Sequence, residues 1–171
     1  FYHIGPPRDF DLFNLFEKNK SDNIESSEYL LCTGLFDEHN QDLIFYKNLL
    51  DEHLNKKMIC TNPDLIVDRG KLRELCAGSV AMVFEKMGGK VIYFGKPYAE
   101  VYNQSINNIN KKILCIGDNL NTDIRGANYM NYDSLLISNG IHKKEIANKG
   151  IDHVSKEYEA IVNFIQSELK W

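Results

Sequence analysis

The run Ile113-Leu114-Cys115-Ile116-Gly117-Asp118-Asn119-Leu120-Asn121-Thr122-Asp123 leads from four consecutive apolar residues into a turn carrying two carboxylates, and from there into a helical pattern. A short run that is apolar at every position suits a strand buried on both faces, which is the strand of a parallel sheet. The alternation extends to both sides. Upstream, Val91–Phe94 reads as a strand and Pro97–Asn108 as a helix; downstream, Thr122–Met130 reads as a helix and Ser134–Ile137 as a strand. Elements of these lengths in this order predict an α/β fold, with parallel strands joined by right-handed helical crossovers. Ile161, Phe164, Ile165 and Leu169 recur at helical spacing and predict a terminal helix over the sheet.

Towards the N-terminus the same pattern continues at lower contrast. Phe1–Ile4 reads as a strand stopped by Gly5-Pro6-Pro7, Asp9 as the N-cap of a helix marked by Phe10, Phe13 and Phe16, and Tyr29–Thr33 as a strand. Asn40 can cap a helix whose Leu43, Tyr46, Leu50 and Leu54 form one stripe, and Lys57–Thr61 follows as a buried strand. Leu65–Val67 and Leu72–Leu75 suit a hairpin turning at Asp68-Arg69-Gly70. Val80, Val83, Phe84 and Met87 mark a helix stopped by Gly88-Gly89.

The 171 residues carry 20 basic and 24 acidic side chains, a formal charge of −4, so there is no electrostatic footprint for nucleic acid. No apolar run approaches the roughly 18 residues of a membrane span, and no basic-then-apolar leader opens the chain. Cys32, Cys60, Cys76 and Cys115 are far apart, and three lie in apolar runs, as expected of reduced core thiols in a cytoplasmic protein. His3, His39, His53, His142 and His153 form no i, i+4 pair and have no Cys-x-x-Cys neighbour, which argues against zinc.

Two segments place reactive side chains directly after apolar strands, where an open parallel sheet binds its ligands. Phe94-Gly95-Lys96-Pro97 offers a cation beside a flexible Gly and a helix-starting Pro, and Gly117-Asp118-Asn119-Leu120-Asn121-Thr122-Asp123 offers two carboxylates across a strand-to-helix turn. Hard carboxylate oxygens suit Mg²⁺, which keeps its other positions for water and phosphate. An ammonium group and Mg²⁺ together would neutralise a phosphoryl group and the charge that develops on it in transfer.

In order and rough spacing, Thr61-Asn62-Pro63-Asp64, Cys76-Ala77-Gly78, Gly95-Lys96-Pro97, and Gly117-Asp118-Asn119 with Thr122-Asp123 and Gly126-Ala127 resemble the haloacid dehalogenase (HAD)-like phosphatases, subclass IIA. The resemblance covers most of the chain. It implies a partial doubly wound, Rossmann-like core carrying an inserted α/β cap: residues 1–5 a remnant of an N-terminal core strand, 6–90 the cap, 91–171 the C-terminal half of the core. It implies that Lys96 steadies the nucleophile and the phosphate, that Asp118 is the direct Mg²⁺ ligand, and that Asp123 supports the same metal site. Asn62, Asp64 and Asn119 then face the substrate, a small phosphate monoester.

One departure is large. The family's nucleophile is the first Asp of Asp-x-Asp-Gly at the end of a strand, whereas the one Asp-x-Asp here, Asp9-Phe10-Asp11, follows Pro6-Pro7-Arg8 and precedes Leu12-Phe13. The expectation is therefore a C-terminal piece of a Mg²⁺-dependent phosphatase that is inactive without the missing strand. Its open sheet edge would invite association, for instance as a homodimer. The alternative is a truncated module that binds phosphate or Mg²⁺ without catalysis. A receiver-like domain would put its lysine after the aspartates, and a dinucleotide fold would need Gly-x-Gly-x-x-Gly; neither fits.

Overall fold

The computed structural model describes residues 1–70, 72–106 and 111–170, in two compact units, Phe1–Phe94 and Gly95–Trp171. The first unit comprises strand β1 (Tyr2–Ile4), a 3₁₀ segment (Pro7–Asn19), β2 (Tyr29–Cys32), helix α1 (Leu43–Leu50), β3 (Lys57–Cys60), the strands β4 (Ile66–Arg69) and β5 (Leu72–Leu75), α2 (Ala77–Lys86) and β6 (Lys90–Tyr93). β1, β2, β3 and β6 form a wholly parallel sheet in that order, and β4 and β5 pair antiparallel as a hairpin.

Period-two patterning explains which face of this sheet is buried. Leu30 and Cys32 of β2 and Met58 and Cys60 of β3 are buried together with Tyr46 and Leu50 of α1 and Val80, Ala81 and Phe84 of α2. α2 stops where the sequence predicts, with the Gly89 N–H donating to the Phe84 carbonyl and Gly88 at φ +100°. The two thiols inside this core are pushed up by burial, Cys60 to about 11 and Cys32 in the same direction.

Several local expectations change. α1 is capped by Asp42, whose Oδ1 accepts from the N–H groups of Ile44 and Phe45, and not by Asn40. The Phe10-Phe13-Phe16 segment is a 3₁₀ run with a break at Phe13, and its start at Pro6 has no side-chain cap. Asp9 is therefore not a cap; its Oδ2 accepts from the Thr33 hydroxyl at 2.8 Å. β4 runs on through Asp68 and Arg69, paired with Arg73 and Leu72, so these residues belong to a strand. The residues 1–5 and Val91–Phe94, which the sequence assigns to core strands, supply β1 and β6 of the first unit's sheet.

The second unit comprises α3 (Ala99–Ser105), β7 (Leu114–Gly117), one π-helical turn (Leu120–Ile124), α4 (Arg125–Tyr129), β8 (Asp133–Ile137), α5 (Lys143–Lys149), α6 (Ile151–Glu157) and β9 (Phe164–Gln166). Its sheet is parallel with order β7-β8-β9, over a core of Leu120, Ile124, Leu136, Val154 and Ala160. Pro97–Asn108 shortens to α3, and Asn107 and Asn108 lie outside the described residues. The expected terminal helix over Ile161–Leu169 is instead β9. Asn163 Oδ1 accepts from the N–H of Ser134 at 2.9 Å, and Asn128 bonds both backbone groups of Ile161, so the chain is held extended alongside β8. Among the described residues, no helix is long and apolar enough to cross a membrane.

Candidate active site

Strand β7 delivers Asp118 to its carboxyl end, where the chain turns through Asn119 into the π-helical turn that carries Asp123. That turn forms because the Asn119 carbonyl accepts from both Asp123 N–H (2.9 Å) and Ile124 N–H (3.2 Å), while the Asn119 side chain accepts from Asn121 N–H at 2.9 Å. The wide turn points Asp123 back under the loop. Its Oδ2 accepts from the N–H groups of Asp118 and Asn119, both at 3.1 Å, and its Oδ1 lies 2.5 Å from Lys96 Nζ. The carboxylate is almost enclosed, with 9% of the side chain exposed against 47% for Lys96. Thus Lys96, Asp118, Asn119 and Asp123 form one cluster within the second unit.

Glycine is required where this cluster is tightest. A Cβ on Gly117 would stand 2.1 Å from the Asp123 carboxyl carbon, and one on Gly140 would stand 2.2 Å from Asp118 Oδ2. Asp118 Oδ2 accepts from Ile141 N–H at 3.1 Å; its Oδ1 makes no hydrogen bond among the described residues.

These bonds bear on whether a divalent ion fits. Among the described residues, Asp118 keeps Oδ1 without a donor, a hard oxygen of the kind Mg²⁺ takes. Both oxygens of Asp123 are committed to donors of their own unit, so Asp123 fits as the group that orients Lys96 and the loop and not as a direct ligand. Among the described residues, no group of three or more His, Cys, Asp or Glu could hold a metal by itself.

Asn62 and Asp64 belong to the first unit, on the loop after β3. Asn62 Oδ1 accepts from Asp64 N–H at 3.2 Å, an Asx turn, and the Asp64 carbonyl accepts from Gly78 N–H at 3.2 Å. A Cβ on Gly78 would meet Pro63 O at 2.2 Å, which explains why Asn62-Pro63-Asp64 and Cys76-Ala77-Gly78 occur together. Asn62 also lines a polar cleft of about 270 Å³ at the carboxyl ends of β1, β2 and β3, together with Arg8, Asp9, Thr33, Arg69 and Cys76.

Periodicity missed two arrangements. One is the chain His3–Thr33–Asp9. The Thr33 hydroxyl has one proton and gives it to Asp9, so His3 Nε2, 2.8 Å away, is the donor to Thr33. Burial, outweighing the pull of Asp9, lowers the His3 pKa to about 4. The other is Gly140-Ile141-His142, which packs along the Asp118 loop. Its signal was available, because it too lies shortly after a strand, beyond the Ile137 end of β8 as Gly95-Lys96 lies beyond the Tyr93 end of β6.

A cation, an enclosed carboxylate and a second carboxylate are thus gathered beyond the carboxyl end of β7, the place where open parallel sheets bind their ligands. Residues 93–161 match the family model described as HAD-hydrolase-like, and the chain belongs to the HAD-like hydrolase superfamily. A structure from Brucella suis, described as a hydrolase of the haloacid dehalogenase-like family, is 31% identical with a TM-score of 0.75, over 82% of this chain and 56% of that one. A possible sugar phosphatase of the HAD superfamily from Cytophaga hutchinsonii is 21% identical with a TM-score of 0.69, over 99% of this chain and 65% of that one. A p-nitrophenyl phosphatase from Archaeoglobus fulgidus is 15% identical with a TM-score of 0.67, over 98% and 63%. The last two speak to the fold alone. The chain spans 56% to 65% of the length of these three structures. No curated protein matches it.

Proposed function

We propose that this chain is the cap-and-core part of a subclass IIA phosphatase that hydrolyses a small phosphate monoester with Mg²⁺, through an aspartyl-phosphate intermediate in the intact parent. The observation that carries this reading is the clustering of Lys96, Asp118 and Asp123 by hydrogen bonds on one strand-to-helix turn. Lys96 is held by Asp123 beside the loop, with nearly half its side chain open to solvent, so its charge is available to a phosphoryl oxygen. Asp118 would hold Mg²⁺ through Oδ1, and the bound ion would supply positive charge against the phosphate. Asn119, whose side chain shapes the turn, lies next to that position.

The nucleophile is read as an Asp supplied by a strand outside these residues. In support, β7 has a strand neighbour on one side only among the described residues, which leaves its other edge open to a further strand. The first unit is read as the cap, with Asn62 and Asp64 selecting the leaving group. The same open edge supports self-association as the alternative fate of the chain alone.

The test is phosphate release from p-nitrophenyl phosphate and a panel of sugar and nucleotide phosphates, with and without Mg²⁺. The 171-residue chain is expected to be inactive, because loss of a covalent nucleophile costs on the order of 10⁶ in rate. The intact parent is expected to turn over, and Asp118→Asn in it to lower turnover about 10²-fold or more. A parent whose turnover ignores both Mg²⁺ and Asp118→Asn would sink the assignment.

A further inference from the structure

The Asp118 loop is held on a second side by residues outside the Lys96–Asp118–Asp123 cluster. Gly140-Ile141-His142, following β8, is joined to Asp118-Asn119-Leu120 at two points. The Ile141 N–H donates to Asp118 Oδ2 at 3.1 Å, and the Leu120 N–H donates to His142 Nε2 at 3.1 Å. His142 is buried, and its Nδ1 stands 2.8 Å from Glu145 Oε2. An Nε2 that accepts an N–H carries no proton, so the neutral ring bears its proton on Nδ1 and donates it to Glu145.

Glu145 is fixed in turn. The Tyr158 hydroxyl donates to its carboxylate at 3.2 Å, and the Tyr158 ring packs edge-on against the imidazole with centroids 4.6 Å apart. The hydrogen bond from His142 is the foremost reason that the Glu145 carboxyl lies below its ordinary range. Both ring nitrogens are thus committed, and rotating the imidazole would break both bonds.

We propose that His142 is a positioning residue for Asp118. Its Nε2 lone pair, oriented through Glu145 and Tyr158, pins the Leu120 N–H, while the neighbouring Ile141 N–H takes Asp118 Oδ2 and leaves Oδ1 for the ion. This rests on reading Asp118 as the Mg²⁺ ligand, and no reaction step passes through His142.

The experiment titrates Mg²⁺ into the 171-residue chain while the amide signals of residues 117–120 are followed by nitrogen-15 NMR, for wild type, Asp118→Asn, His142→Asn and His142→Gln. An Asn amide stands where Nδ1 does, so it can serve Glu145 but cannot reach Leu120. A Gln amide reaches the Nε2 position, so it can accept from Leu120 but gives up Glu145. A packing role would weaken the two variants alike, whereas positioning separates them. Saturable shifts are expected in wild type and lost in Asp118→Asn. Affinity is expected to fall about 10-fold or more in His142→Asn and to stay within about 3-fold of wild type in His142→Gln, the scale on which groups behind a metal ligand act.

Equal affinities for the two His142 variants, with binding still abolished by Asp118→Asn, would overturn the positioning role and leave Asp118 as the ligand. No saturable binding by wild type, or undiminished binding by Asp118→Asn, would overturn the site reading and the proposal with it. One measurement needs no variant. A scalar coupling across the Leu120 N–H to Nε2 hydrogen bond is expected in wild type, and an Nε2 that bears the proton at neutral pH would refute the proposal.

Discussion

Asp123 binds Lys96 with one carboxylate oxygen, at 2.5 Å, and the backbone N–H groups of Asp118 and Asn119 with the other, at 3.1 Å each. A single enclosed side chain thereby ties the lysine that follows β6 to the loop that follows β7. An Asn in its place has one acceptor oxygen and one donor group, so either the loop amides or the ammonium loses its partner. Asp123→Asn is expected to lower stability by about 1–3 kcal/mol, read from the denaturant midpoint. A midpoint equal to wild type would show that the carboxylate is not holding the loop.

Lys96 contributes charge at a position set by Asp123. In the intact parent, Lys96→Ala is expected to cut phosphatase turnover about 10²-fold or more, the size of losing one transition-state stabiliser. Lys96→Arg keeps the charge but changes its shape, and is expected to recover only part of the loss. Full activity in the alanine variant would remove Lys96 from the chemistry.

Gly140 has no Cβ because Asp118 Oδ2 would lie 2.2 Å from it. Gly140→Ala is expected to displace the Asp118 carboxylate, weakening Mg²⁺ binding by the chain more than it lowers the melting temperature. Unaltered Mg²⁺ affinity, measured by the same amide titration, would contradict that close approach.

His3 makes the first unit sensitive to acid. Its native pKa, lowered to about 4 by burial, lies below the ordinary value of about 6.5, so the unfolded chain binds a proton that the folded chain refuses. The stability it contributes is complete above about pH 6.5 and is lost as pH falls towards 4, by up to about 1.4 kcal/mol per pH unit. Hydrogen exchange at Leu30 and Met58 between pH 7 and 4 follows it. His3→Gln, which can donate to Thr33 without titrating, is expected to flatten the profile; parallel profiles would assign the acid sensitivity elsewhere.

Asn62 shapes the loop after β3 through its bond to the Asp64 N–H and lines the polar cleft of the first unit. Asn62→Ala and Asp64→Ala in the intact parent are expected to reorder the preference among phosphate esters while changing the best turnover less. An identical ranking across the ester panel would take both residues out of substrate selection.

The apolar run before Gly117, the Gly88-Gly89 stop of α2 and the alternation of strand and helix were legible in the sequence, because they depend on neighbours one to four residues away. The convergence of Lys96 on the turn that carries Asp118 and Asp123 could be anticipated, because both segments follow strands. The role of Asp9 could not. Its sequence position fits a cap, but Thr33, distant in the chain, offers its carboxylate a better donor. The spacing of Ile161, Phe164 and Ile165 fits a helix, yet Asn128, Ser134 and Asn163 hold that segment beside β8. His142 has no neighbour in sequence that hints at Leu120. Local periodicity sets which backbone hydrogen bonds a segment can make with itself, whereas which side chain completes a distant loop is decided only when strands fix their carboxyl ends side by side.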